Sequence, residues 1–173
     1  MTSTTSTTAI TQVYSVYIKA TPQAIWDAIT KPEWTEKYGY GGKAEFDLRP
    51  GGAYRGLTSA AMRQAGAPEV GVDGEVLESY PPGKLVQTFR MVMDERMATQ
   101  GFTRLTYEIS EGKGGVSKLT VTHELGDATM LAVLMSGGMA DQGAGGGWNW
   151  VLSSLKTLLE TGSPIDSDPA NMG

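Results

Sequence analysis

The stretch GGGWNWVLSSLKTLLETG, residues 145–162, decides the fold. Its apolar side chains recur at the three- and four-residue spacing of a helix and form one continuous stripe: Trp148, Val151, Leu152, Leu155, Leu158 and Leu159. Glycines precede this run, and Gly162 followed by Pro164 is typical of a helix C-terminus. A helix of about 15 residues with such an apolar face must pack against a broad surface.

The preceding chain supplies that surface as short strands. Alternating apolar and polar residues predict seven of them, at residues 13–20, 44–48, 54–60, 72–80, 84–93, 102–110 and 116–125. Short connections such as Pro81-Pro82-Gly83 indicate an antiparallel meander. Two short helices are predicted after the first strand, one from Thr21-Pro22 and one at residues 32–38, and residues 61–70 are predicted to be a loop. Strands segregated from helices make the fold α+β, and a sheet curled around the terminal helix leaves an interior gap.

Composition excludes several kinds of site and partner. The chain has no cysteine and one histidine, which excludes a thiolate nucleophile, a disulfide framework and a zinc site of cysteines or several histidines. A hard-cation site of carboxylates remains possible, but no clustered Asp-x-Asp loop suggests one, so we expect no metal and no cofactor. A net charge of −5 argues against a nucleic-acid partner. No apolar stretch approaches the ~20 residues that cross a bilayer, so membrane insertion is not expected. The N-terminus lacks the features of a signal peptide, and we expect a cytoplasmic protein.

The 173 residues suffice for one domain with its own core, which we place at residues 13–162. Residues 1–12, rich in Ser and Thr, and residues 163–173 are predicted to be disordered tails, because they contain little that could be buried.

Several motifs carry a family resemblance. Ala20-Thr21-Pro22 with Ile25-Trp26, the run from Phe46 to Gly52, and Gly147-Trp148 resemble the START-like (SRPBCC, Bet v 1-like) superfamily. More narrowly, they resemble the family named after the activator of Hsp90 ATPase. The resemblance spans about residues 13–162. It implies a helix-grip fold, in which a curved antiparallel sheet grips a long C-terminal helix over a cavity.

The resemblance and the strand patterns together suggest which residues line that cavity. Aromatic rings and flexible thioethers suit a large apolar ligand of variable shape. The expected ligand-binding residues are Trp34, Tyr38, Tyr54, Phe89, Met91, Tyr107, His123, Met135, Trp148 and Leu152. The same residues would also serve as an ordinary core.

His123 is the one candidate catalytic residue. Leu119, Val121, His123 and Leu125 share one face of the last strand, which should face the helix. The histidine could exchange a proton with a bound ligand. The other interpretation is a structural histidine with satisfied hydrogen bonds, because no orienting carboxylate is evident from the spacing.

Residues 126–146 are rich in Gly and Met. Three interpretations stay open for them: a mobile lid with glycine hinges, a short helix packed over the sheet edge, or a dimer contact. The open sheet and this Met-rich segment both offer surfaces for a homodimer.

The leading functional hypothesis is binding of an apolar or aromatic small molecule, lipid- or polyketide-like, between the sheet and the terminal helix. The alternative is a cyclase or dehydratase that uses His123 with Tyr54, Tyr80 or Tyr107 on such a ligand. A third hypothesis, an interaction module for a chaperone ATPase, follows from the family name. We weigh it lower because the Hsp90-stimulating proteins carry an additional large domain.

Overall fold

Seven antiparallel strands form one sheet in the order β1-β7-β6-β5-β4-β3-β2. The structure, a computed structural model, describes residues 8–143 and 145–165. The strands are β1 (Ile10–Ile18), β2 (Ala44–Phe46), β3 (Ala53–Leu57), β4 (Val70–Tyr80), β5 (Lys84–Met91), β6 (Thr103–Glu111) and β7 (Ser117–Gly126). The predicted α+β class and seven-stranded antiparallel sheet are confirmed.

Six α-helices accompany the sheet within the described ranges. They are α1 (Pro22–Thr30), α2 (Pro32–Thr35), α3 (Ala60–Gln64), α4 (Glu95–Ala98), α5 (Thr129–Met135) and α6 (Gly147–Thr161). α6 is the predicted long helix, and Gly162 ends it in the left-handed conformation at φ 88°. None of the helices in this part of the chain combines the length and apolarity that crossing a bilayer requires.

The core lies on one side of the sheet, here called the inner face, which α1 and α6 cover. α6 contributes the buried residues Trp148, Leu152, Leu155 and Leu158. The central strands contribute Leu85, Leu105, Leu119 and Val121, all with no exposed surface. Burial of these side chains, worth about 1.5–3 kcal/mol each before opposing terms, holds the helix against the sheet.

Two predictions of local structure were wrong. The first strand begins at Ile10, not at residue 13. Ile10 to Gln12, which were predicted to belong to the N-terminal tail, pair with β7 at Gly126 to His123. The strand predicted to reach residue 60 ends at Leu57, and α3 occupies the start of the predicted loop. Ser59 caps this helix, since its Oγ accepts a hydrogen bond from Met62 N over 3.2 Å.

Other element boundaries also differ from prediction. α2 ends at Thr35 and not at residue 38, and β5 ends at Met91 and not at residue 93. The predicted disordered tails fall largely outside the described residues, which omit 1–7 and 166–173 as well as Ala144.

Candidate functional site

The structure brings the predicted lining residues together on the inner face. Tyr54, Phe89, Met135, Trp148 and Leu152 are buried members of the hydrophobic core. Trp34, Tyr38, Met91 and Tyr107 are partly buried and pack against it. His123 joins them through ring contacts, with its centroid 5.2 Å from Phe89 and 6.2 Å from Trp148. In this structure most of these side chains pack against one another.

His123 is fully buried and uses both ring nitrogens in hydrogen bonds. The indole Nε1 of Trp148 donates to His123 Nδ1 over 3.2 Å. The other ring nitrogen, Nε2, lies 2.8 Å from Thr103 Oγ1, whose hydroxyl donates to the carbonyl oxygen of Phe89 over 2.8 Å. Because an indole can only donate, Nδ1 must accept, and the proton of the neutral ring resides on Nε2. The four groups therefore form one directed chain of hydrogen bonds.

This environment keeps His123 neutral. Burial lowers its pKa from 6.5 to about 4, because the protonated ring would lose hydration without gaining a counter-charge. Neither ring nitrogen is available to a ligand while the chain of hydrogen bonds is intact. The geometry therefore supports the structural interpretation of His123 over the catalytic one. Sequence spacing could not identify Trp148 and Thr103 as its partners, since the fold supplies them from α6 and β6.

Three tyrosines that the sequence singled out lie near one another in the interior. Burial raises the pKa of Tyr38, Tyr54 and Tyr107, and the proximity of the other phenols adds to the rise for Tyr38 and Tyr107. The Tyr38 hydroxyl donates to Ala28 O over 2.8 Å, and the Tyr54 ring stacks on Phe46 at a centroid distance of 4.6 Å. All three phenols remain neutral at physiological pH, so each can serve as a hydrogen-bond donor.

Tyr107 marks a gap in the packing. It lies on the inner face of the central strand β6 between Leu105, which is fully buried, and Ile109, which is 8% exposed. Tyr107 itself keeps more accessible surface than either neighbour, although protein surrounds it closely enough to raise its pKa well above the usual value. A side chain in this position can retain accessible surface only where the packing around it is incomplete.

Gln87 is the polar residue of this region that the sequence analysis missed. It has no exposed surface and lies on the inner face of β5, opposite Val76 of β4 and Leu105 of β6. Its amide nitrogen makes one long hydrogen bond, 3.3 Å to Thr88 O, and its Oε1 has no partner. The signal was present in the sequence, because Leu85, Gln87, Phe89 and Met91 alternate along one apolar face.

Residues 38–40, here called the strap, are hydrogen-bonded to the terminal helix through Gly39 and Tyr40. Gly39 N donates to the buried Ser154 Oγ, and Trp150 Nε1 donates to Gly39 O, each over 3.2 Å. Gly147 N, at the start of α6, donates to the Tyr40 hydroxyl over 3.0 Å. Gly39 has a positive φ of 63°, which favours glycine at this position. The strap ties the chain at and just after α2, which includes Trp34 and Tyr38, to the first turns of α6.

The segment 126–146 contains a helix that packs onto the sheet edge. Leu131 and Ala132 of α5 are buried, and Gln12 Nε2 of β1 donates to Ala132 O over 2.9 Å. These contacts support the packing interpretation for α5. Val133 is 48% exposed on the same helix, so a dimer contact at this surface stays a prediction.

Two open hollows lie elsewhere on the molecule. One of about 530 Å³ is on the outer face of the sheet, lined by charged and polar side chains that include Lys84, Arg104 and Glu124. Another of about 360 Å³ lies beside the β6–β7 turn and includes Tyr17 and Lys118. Neither is on the inner face, where the sequence predicted a ligand.

A family model described as Activator of Hsp90 ATPase homolog 1-like protein matches residues 19–160. The chain belongs to this family. Membership agrees with the resemblance inferred from the motifs and with the observed sheet and terminal helix. No curated protein matched the sequence.

Solved structures of similar fold come from diverse sources. Protein MLL2253 from Mesorhizobium loti is 23% identical, with a TM-score of 0.62, covering 87% of this chain and 96% of that one. An HSP90 activator from Plasmodium falciparum is 18% identical, with a TM-score of 0.60 and coverages of 86% and 95%. DynU16, a putative protein in the dynemicin biosynthetic locus, is 19% identical, with a TM-score of 0.60 and coverages of 89% and 48%. At these identities the likeness shows the helix-grip fold alone.

Proposed function

We propose that the protein binds an apolar or aromatic small molecule, lipid- or polyketide-like, on the inner face between the sheet and α6. The observation that carries the proposal is Tyr107, which retains accessible surface on the inner face although its strand neighbours Leu105 and Ile109 are buried. The adjacent wall combines apolar side chains with a few polar groups, which is the usual character of a small-molecule site.

Apolar side chains dominate this wall. Phe89 and Trp148 provide flat aromatic surface, and the Tyr107 ring meets Trp148 edge to face at a centroid distance of 6.1 Å. Met91 and Met135 are unbranched and can change rotamer at low cost. Because the surrounding residues are largely packed together in this structure, binding requires these side chains to move apart.

The fold and the family are compatible with such a role. In this chain the sheet and α6 pack over the inner face, and the similar DynU16 is described as a putative protein in the dynemicin biosynthetic locus. A role beside a biosynthetic pathway would present this chain with apolar or aromatic small molecules. The similarity to DynU16 supports the proposal only by analogy, so the geometry around Tyr107 is the stronger argument.

Fluorescence of N-phenyl-1-naphthylamine, which increases in apolar sites, tests the proposal. We expect saturable binding with one site per chain, and we expect apolar competitors to displace the probe. Met91→Ala, on the inner face, should change the probe's Kd by about threefold or more, since it removes part of the wall. Met93→Ala is the matched control, because Met93 is 38% exposed beyond the end of β5. Absence of saturable binding, or equal effects of the two variants, would contradict the proposal.

A chaperone interaction is the second candidate, favoured by the family description. The argument from an additional domain is weakened, because 95% of the solved chain of the Plasmodium activator aligns with this chain. Stimulation of a purified Hsp90 ATPase by equimolar protein would support this candidate. The small-molecule proposal expects no stimulation.

A further inference from the structure

Two buried side-chain oxygens in the described part of the chain lack a hydrogen-bond partner, Gln87 Oε1 and Ser79 Oγ. Both lie on the inner face. Gln87 is opposite Val76, and Ser79 is opposite the fully buried Leu85. Protein interiors seldom leave such atoms unpaired, so each marks a position where a donor from water, from a small shift of a neighbouring hydroxyl such as that of Tyr54, or from a ligand can bind.

Two tyrosines, Tyr54 and Tyr107, belong to the same area of the inner face. Tyr107 is opposite Leu85 in the β5–β6 register, so it lies diagonally next to Gln87 on the same face. The Gln87 side chain is also close enough to the Tyr54 hydroxyl to oppose the rise of that group's pKa. Gln87, Ser79, Tyr54 and Tyr107 thus surround one small patch of the inner face, bounded by apolar neighbours.

We infer that the molecule bound on the inner face carries a hydroxyl or N–H group that donates to Gln87 Oε1, as in a phenol or a hydroxyketone. The inference rests on the proposed function and deepens it by naming the polar group of the ligand. An amide oxygen can only accept, so a pure hydrocarbon or an ether would leave it unpaired. A neutral phenol such as Tyr107 can in turn donate to a carbonyl or hydroxyl oxygen of the same ligand.

A buried water is the competing partner for these atoms, since it could also donate to Gln87 Oε1. If a bound water pairs with Gln87 Oε1 and stays there when a ligand binds, the protein should not prefer ligands that carry a donor. A ligand that pairs directly with the oxygen would instead bind more tightly when it carries a donor. A comparison of two ligands that differ only in this donor separates the two cases.

Calorimetric titration with 1-naphthol and 1-methoxynaphthalene provides that comparison. The two share the same ring system, but only 1-naphthol can donate a hydrogen bond. We expect the wild-type protein to prefer 1-naphthol about tenfold, as one desolvated hydrogen bond allows. In Gln87→Leu the preference should fall to about twofold or less, with 1-methoxynaphthalene affinity retained. Ser117→Ala is the control, because its buried hydroxyl donates to Ala20 O at the far end of β7, and it should keep the wild-type preference.

The outcomes distinguish this inference from the function on which it rests. If neither naphthalene binds, the proposed function fails and the inference fails with it. If both bind the wild type equally, or if Gln87→Leu keeps the preference, binding stands and the assignment of the donor to Gln87 is overturned. Melting of Gln87→Leu checks that the variant folds, and Gln87→Met takes its place if it does not.

Discussion

Trp148 of α6 donates its indole N–H to His123 Nδ1 of β7 over 3.2 Å and so links the terminal helix to an interior strand of the sheet. The bond sets the tautomer of the histidine, which then engages Thr103 of the neighbouring strand through Nε2. One line of hydrogen bonds therefore connects α6, β7, β6 and the carbonyl oxygen of Phe89 in β5. In a buried setting such a line contributes to the specificity of the fold, because the loss of one member leaves others unpaired.

Protonation of His123 should destabilise the protein at acidic pH. The folded-state pKa of about 4 lies below the unfolded value of 6.5, so the stabilising contribution is complete above pH 6.5 and is lost as the pH falls towards 4. The loss should amount to about 3 kcal/mol below pH 4. Urea unfolding at a series of pH values measures it, and NMR of the single histidine should show a neutral ring at pH 6. A ring that titrates near 6.5 in the folded protein would refute this assignment.

Replacement of Trp148 by Phe should cost about 1–3 kcal/mol in unfolding free energy beyond the change in ring volume, because His123 Nδ1 would lose its donor. Trp34→Phe is the matched control. Trp34 is partly buried and its ring lies 4.5 Å from Lys37 Nζ, a contact that phenylalanine can keep. Denaturant unfolding of the two variants should therefore differ. Equal losses would mean that the Trp148–His123 bond contributes little.

Gln87→Leu should leave stability unchanged or raise it by about 1 kcal/mol, since it removes an unpaired buried oxygen at similar side-chain volume. Gln12→Leu should instead lower the stability of the protein. Gln12 also lies on the inner side of the sheet, but its amide donates to Ala132 O and its oxygen accepts from the Tyr14 hydroxyl. Thermal unfolding of the pair checks the prediction. A clear loss of stability in Gln87→Leu would show that its oxygen is paired in solution.

Tyr40→Phe should loosen the start of α6 by removing the acceptor of Gly147 N, at a cost of about 1 kcal/mol. Faster hydrogen exchange should be confined to the first turn of the helix and to the strap of residues 38–40. Tyr80→Phe serves as the control, since Tyr80 is 61% exposed at the end of β4. Identical exchange in the two variants would contradict the proposed role of the strap.

The main features of the fold were accessible from sequence because they depend on local periodicity. The stripe from Trp148 to Leu159 predicted α6, and alternation predicted every strand of the sheet. The errors arose where local signals compete. Ser59 followed by Ala60-Ala61-Met62 is a good helix start, yet the preceding alternation favoured a longer strand.

The site was less accessible, because its hydrogen bonds join distant parts of the chain. The pattern predicted that His123 faces the helix. The partners that occupy both of its ring nitrogens come from β6 and α6, which are distant in sequence. Gln87 was visible as a polar residue on an apolar face. Its unpaired oxygen became evident only once the neighbouring strands were in register.

Native mass spectrometry tests the central claim most directly. The protein is measured as purified from cells and again after addition of excess 1-naphthol, and both spectra are compared with the denatured mass. We predict one additional small molecule per chain in at least one of the two native spectra, and its loss on denaturation. The bare chain mass in both native spectra would contradict ligand binding on the inner face.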